Sequence, residues 1–88
     1  MVRYRVLISG RVQGVFFRNT CRRIAEQHGV NGWVRNLPDG SVEAVFEGPE
    51  AEVGQLVDWS HHGPRSASVT DVRVEAEAPE GISGFQIR

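Results

Sequence analysis

The segment Gly10-Arg11-Val12-Gln13-Gly14-Val15-Phe16-Phe17-Arg18 sets two glycines and a guanidinium where a strand pattern gives way to a helical one. Such a junction is suited to gripping an anion. Glycine allows a sharp turn and close backbone approach to a ligand, while the first helical turn offers N–H groups without intrahelical partners and the positive end of the dipole. Backbone amides so placed bind phosphate. Arg18 stands at the start of the helix, where its planar, permanently charged fork offers a bidentate contact to phosphate oxygens. Taken alone, a glycine pair at a strand end is more often a plain turn. Competing phosphate chemistries lack their residues: the chain has no Gly-x-x-x-x-Gly-Lys-Ser/Thr loop, and its cysteine, Cys21, falls inside the helical pattern.

The elements around this junction follow from periodicity. Val2, Tyr4, Val6 and Ile8 alternate along a strand from about Val2 to Ser9, and Phe17, Cys21, Ile24, Ala25 and His28 form one helical stripe that Gly29 ends. A strand from Val30 to Leu37 and another from Ser41 to Gly48 are joined by Pro38-Asp39-Gly40, which predicts an antiparallel hairpin. Val42, Ala44 and Phe46 share a face, with Glu43 and Glu47 opposite, as in a sheet covered on one side. A second helix opens at Gly48-Pro49-Glu50 and carries Val53, Leu56, Val57 and Ser60. A long strand from Ser68 to Ala76 follows, then a loop, Ala78 to Gly84, expected to be mobile, and a short tail strand, Phe85 to Ile87. The order β-α-β-β-α-β predicts an α+β fold, the ferredoxin-like split β-α-β sandwich, with an antiparallel sheet and two helices on one face.

With 88 residues there is room for one domain, residues 1–88, of ordinary globular composition: 40% hydrophobic and 24% charged. A net charge of −1 argues against a general nucleic-acid surface, although Arg11, Arg18, Arg22 and Arg23 can make a local positive pocket. Of these, Arg11, Arg22 and Arg23, like Arg35, read more simply as solvated charges. All ten basic side chains are arginine. A lone cysteine excludes an internal disulfide and a cysteine-based metal site, and Cys21 reads as a small core residue. The adjacent His61 and His62 point in different helical directions, which disfavours a metal site. No apolar run approaches the length of a membrane span, and the N-terminal residues do not resemble a signal peptide, so a cytoplasmic location is expected.

The second strand and its hairpin read Gly32-Trp33-Val34-Arg35-Asn36-Leu37-Pro38-Asp39-Gly40-Ser41-Val42. Together with the first loop, this resembles the acylphosphatase family. Both signatures stand in order, Gly10-x-Val12-Gln13-Gly14-Val15-x-Phe17-Arg18 and Gly32-Trp33-Val34-Arg35-Asn36-x-x-x-Gly40-x-Val42, and the resemblance extends through Gly63-Pro64, Ala67-x-Val69 and Gly84-Phe85-x-Ile87.

The resemblance implies hydrolysis of the carboxyl–phosphate anhydride of a small-molecule acyl phosphate, on the same ferredoxin-like sandwich. It assigns the phosphoryl grip to Arg18 and the backbone amides of Gln13, Gly14, Val15, Phe16 and Phe17, and the positioning of the attacking water to Asn36. Alone before a hairpin, Asn36 would read as a turn-favouring residue. Trp33 is expected to pack or to lie partly exposed near the site. No cofactor or metal is expected, inorganic phosphate should act as product and inhibitor, and nothing in the sequence demands more than a monomer. An RNA-binding module shares the topology, but its stacking aromatics are missing from the expected open face, where Arg3, Arg5, Leu7, Glu43, Val45 and Glu47 fall. A domain of larger carbamoyl-transferring maturation enzymes is the other alternative; the absence of a cysteine pair before Arg88 favours a free-standing enzyme.

Overall fold

The computed structural model describes residues Met1–Arg88, with β1 (Val2–Arg11), α1 (Phe17–Gln27), β2 (Asn31–Asn36), β3 (Val42–Gly48), α2 (Glu50–Ser60), β4 (Ser68–Glu77) and β5 (Phe85–Ile87). The five strands form one sheet in the order β4-β1-β3-β2-β5. Both helices pack on one face, α1 against β2 and β5 and α2 against β1 and β3. This is the expected ferredoxin-like arrangement. The tail strand adds one feature to the antiparallel sheet read from the sequence: β5 runs parallel to β2, with Gly32 opposite Phe85 and Val34 opposite Ile87, so the sheet is mixed. The chain leaves β4 at one sheet edge and must cross to the other, which lets it enter beside β2 in the parallel sense.

The alternating residues meet where their periodicity placed them. Val6 and Ile8 of β1, Val34 of β2 and Val42, Ala44 and Phe46 of β3 pack beneath Phe17, Cys21 and Ala25 of α1 and Val53 and Leu56 of α2. Burying such side chains supplies most of the drive to fold, about 1.5–3 kcal/mol for each large one. Phe17 also packs against Trp59 with ring centroids 4.9 Å apart, which ties the start of α1 to the end of α2. Gly29, at φ +67, follows the His28 cap of α1 and turns the chain toward β2. No helix is long and apolar enough to cross a membrane.

Two expectations need correction. β1 does not stop at Ser9: a bulge between Ser9 and Gly10 is followed by renewed pairing of Gly10 with Val69 and Arg11 with Ser68. Gly10 is required there because β4 passes so close that a Cβ would collide with the Ser68 carbonyl, and its φ of +124 disfavours any other residue. The face opposite the helices is also less open than its charged residues suggested. Glu47 is 1% exposed and Arg3 7% exposed, because the 78–84 segment crosses over them. Arg3 donates to Glu47 at 3.2 Å and to Glu77 at 3.0 Å, while Glu47 accepts the N–H groups of Glu80 at 2.9 Å and Gly81 at 2.8 Å. The loop expected to be mobile is thus tied to a buried carboxylate. A buried charge persists only when its lone pairs are satisfied in this way.

Candidate active site

The chain between β1 and α1 is anchored inward by Val12 and Val15, 1% and 4% exposed. Two left-handed residues bend it around those anchors, Gly14 at φ +72 and Phe16 at φ +64. Side chains brace the loop from both flanks. Ser66 Oγ donates to the Val15 carbonyl at 3.0 Å, and Gln13 Nε2 donates to the carbonyls of Leu37 at 2.8 Å and Ser41 at 2.9 Å.

This bracing leaves the loop amides free. None of the N–H groups of residues 13–16 donates to a protein acceptor, and those of Phe17, Arg18 and Asn19 precede the first bond of α1, from Thr20 N–H to the Phe16 carbonyl at 3.1 Å. The run from Gln13 to Asn19 is therefore a series of unpartnered donors at the positive end of a helix. Phe16 occupies the N-cap position without making a side-chain cap. A serine or aspartate there would take up one of the donors.

Asn36 is the last residue of β2, opposite Val42, and shares the helix-side face with Val34. The hairpin beyond it is held by Leu37 N–H to the Ser41 carbonyl at 2.8 Å and Gly40 N–H to the Leu37 carbonyl at 3.1 Å. Asp39 caps the turn by accepting from both the Ser41 hydroxyl and its N–H, and these bonds lower the Asp39 pKa.

Gly14, Phe16, Phe17 and Arg18 come together with Asn36 around one pocket of about 290 Å³, whose wall Val12 and Asn19 complete. That volume is at the small end for ligand sites. Gln13 and Val15 do not line it: the first turns its side chain to the hairpin and the second to the core. Arg18 is half-buried and takes part in no ion pair. Arg35, by contrast, is neutralised by Glu43 at 2.6 Å, and Arg22 pairs with Glu26 at 3.5 Å. The pocket thus combines an unneutralised guanidinium, a row of free amides and the carboxamides of Asn19 and Asn36, a set suited to a multiply charged anion and a neutral nucleophile beside it.

Other candidates lie elsewhere. Trp33 is on the opposite sheet face from Asn36, beside the Arg35 and Arg88 guanidinium groups at 5.3 Å and 4.8 Å from its ring, and so is not a pocket residue. His28, His61 and His62 do not reach the pocket. Cys21 is fully buried on α1, and burial pushes its thiol pKa up. Sequence reading missed Asn19 and the Gln13 side chain. The position of Asn19 beside Arg18 in the first helical turn was a usable signal; the reach of Gln13 to the hairpin was not visible without the pairing of β2 and β3.

Comparison with known proteins places the whole chain in one family. The Acylphosphatase family model matches residues 4–87. The acylphosphatase of Haloarcula marismortui is 59% identical over 86 residues, covering 98% of this chain and 94% of that one. The crystal structure of acylphosphatase from Bacillus subtilis superposes with a TM-score of 0.96 at 38% identity, over 100% of this chain and 99% of that one. The crystal structure of HypF from T. kodakarensis contains a similar unit, with a TM-score of 0.86 at 30% identity, over 100% of this chain and 12% of that one. By sequence and by structure, the chain belongs to the acylphosphatase family.

Proposed function

We propose that the protein hydrolyses acyl phosphates by direct attack of water at phosphorus. Arg18 and the backbone amides of the loop from Gln13 through Gly14, Val15 and Phe16 to Phe17 hold the phosphoryl oxygens, with Gly14, Phe16 and Phe17 lining the pocket itself, and Asn36 holds the water. The reading is carried by the unbroken run of unpartnered amides beside an unpaired Arg18, with Asn36 on the facing strand end.

The water oxygen forms a bond to phosphorus as the bond to the bridging oxygen breaks, and that electron pair leaves on the carboxylate. The water proton passes to a phosphoryl oxygen. Phosphoryl transfer of this kind depends on positioning and charge stabilisation more than on covalent help, and donors fixed in place stabilise developing charge without reorganising. Asn36 accepts one hydrogen bond from the water and does not titrate near neutral pH. A carboxylate leaving group needs little protonation, so no side-chain general acid or base and no metal is required. The rate should therefore show no histidine pKa near about 6.5.

Inorganic phosphate, the product, would occupy the same cradle and inhibit. The pocket is completed within one chain, which supports a monomer acting as one domain on a diffusible small molecule. A single buried, unpaired cysteine fits a reducing compartment such as the cytoplasm. Hydrolysis of benzoyl phosphate with and without EDTA tests the reading. Turnover that is indifferent to EDTA and lost in Arg18→Ala supports it; no turnover above the buffer rate by folded protein would leave an anion-binding module instead.

A further inference from the structure

Phe16 is 75% exposed, whereas Phe17, Phe46 and Phe85 are at most 6% exposed. It is also the sole non-glycine residue with positive φ, at +64. A bulky side chain in the left-handed region and an aromatic ring left in water are both unfavourable, and here both fall on one residue at the wall of the pocket. Strained backbone conformations gather at ligand sites, where the surrounding structure holds them.

We propose that the Phe16 ring is the platform for the acyl group, so that the site favours acyl phosphates with aromatic or extended apolar acyl groups over acetyl phosphate. The inference rests on the reading of the pocket as a phosphoryl site. With the phosphoryl oxygens on Arg18 and the loop amides, the bridging oxygen must direct the acyl group out toward solvent. The large apolar surface available at that exit is Phe16, since Gly14 and Asn19 offer none and Val12 and Phe17 are buried. An aromatic face there takes up an acyl chain or stacks on an aryl ring. One exposed ring beside polar neighbours gives graded preference rather than exclusion, because no pocket encloses the acyl group.

The test is the ratio of kcat/KM for benzoyl phosphate to that for acetyl phosphate in wild-type protein, Phe16→Gly, Phe16→Asn and Phe16→Trp. Glycine and asparagine both accept the left-handed backbone, so the loop has two independent chances to keep its shape. Acetyl phosphate records whatever a substitution does to the Phe16 amide, so the ratio isolates the ring. The ratio is expected to fall about fivefold in Phe16→Gly and Phe16→Asn, through KM for benzoyl phosphate, and to be kept in Phe16→Trp, while the inhibition constant of inorganic phosphate moves less than the ratio. An unchanged ratio in both truncated variants, with both substrates turned over, overturns the platform and leaves the phosphoryl site standing. Failure of wild-type protein to hydrolyse either substrate overturns both.

Discussion

Gln13 grips Leu37, the residue that follows Asn36. Its Nε2 donates to the Leu37 carbonyl at 2.8 Å and, across the hairpin, to the Ser41 carbonyl at 2.9 Å. The anion loop and the strand end bearing Asn36 come from distant parts of the chain, and this side chain fixes one against the other. Removing it in Gln13→Leu should cost about 1–2 kcal/mol of stability and lower kcat/KM about tenfold. Gln13→Glu should be worse, because an ionised carboxylate facing two carbonyl oxygens donates to neither. Denaturant unfolding beside steady-state kinetics checks this; unchanged kinetics in a stably folded Gln13→Glu protein would show that the brace does not set the site.

The route of bond cleavage gives a second expectation. Hydrolysis of benzoyl phosphate in heavy-oxygen water should place the label in inorganic phosphate and none in benzoate. Label in benzoate would mean attack at the carbonyl carbon, which the arrangement of Arg18 and the amides gives no reason to favour.

Cys21 should be chemically silent. It is fully buried, and burial raises its thiol pKa, so little of the reactive thiolate forms near neutral pH. The native protein should resist N-ethylmaleimide and keep its activity, with modification appearing only on unfolding. Rapid inactivation of folded protein would reopen a cysteine-based mechanism.

Acid should weaken the fold through Glu47. The Glu80 N–H, foremost, with the Arg3 side chain and the Gly81 N–H, holds its carboxyl pKa below the ordinary value of 4.5, against the opposing effect of burial. A carboxyl lowered on folding stabilises the protein above its unfolded value and loses that contribution as the pH falls through the folded one. Tm should therefore fall as the pH drops below about 4.5. Glu47→Gln should melt about 5–10 °C lower at neutral pH and show a shallower acid dependence. Parallel Tm curves for the two proteins in acid would contradict the assignment.

Much of this molecule can be read from its residues, for reasons that differ by element. The alternation of Val6 and Ile8, the Phe17-Cys21-Ala25 stripe and the Asp39-Gly40 turn are local patterns whose burial and pairing follow from period and turn chemistry. The grouping of Gly14, Phe16, Phe17 and Arg18 with Asn36 was anticipated from two motifs taken together, since Asn36 alone reads as a turn residue. What stayed hidden depended on long-range partners. The parallel seat of β5 beside β2, the closure of the 78–84 segment over Glu47 and the Gln13 brace each join residues whose neighbours only the folded sheet brings close. The bulge at Gly10 is a response to the approach of β4, which a pattern within β1 does not encode.

The division of labour between Arg18 and Asn36 is the centre of the account, and benzoyl phosphate kinetics with inorganic phosphate as competitive inhibitor tests it most directly. Arg18→Ala should lose about a thousandfold in turnover together with phosphate inhibition, and Arg18→Lys should not restore either, because a point charge lacks the fork. Asn36→Ala should lose turnover while inhibition by phosphate stays close to that of the wild-type protein. Equal loss of phosphate inhibition in Arg18→Ala and Asn36→Ala, or near-normal turnover in either, would contradict it.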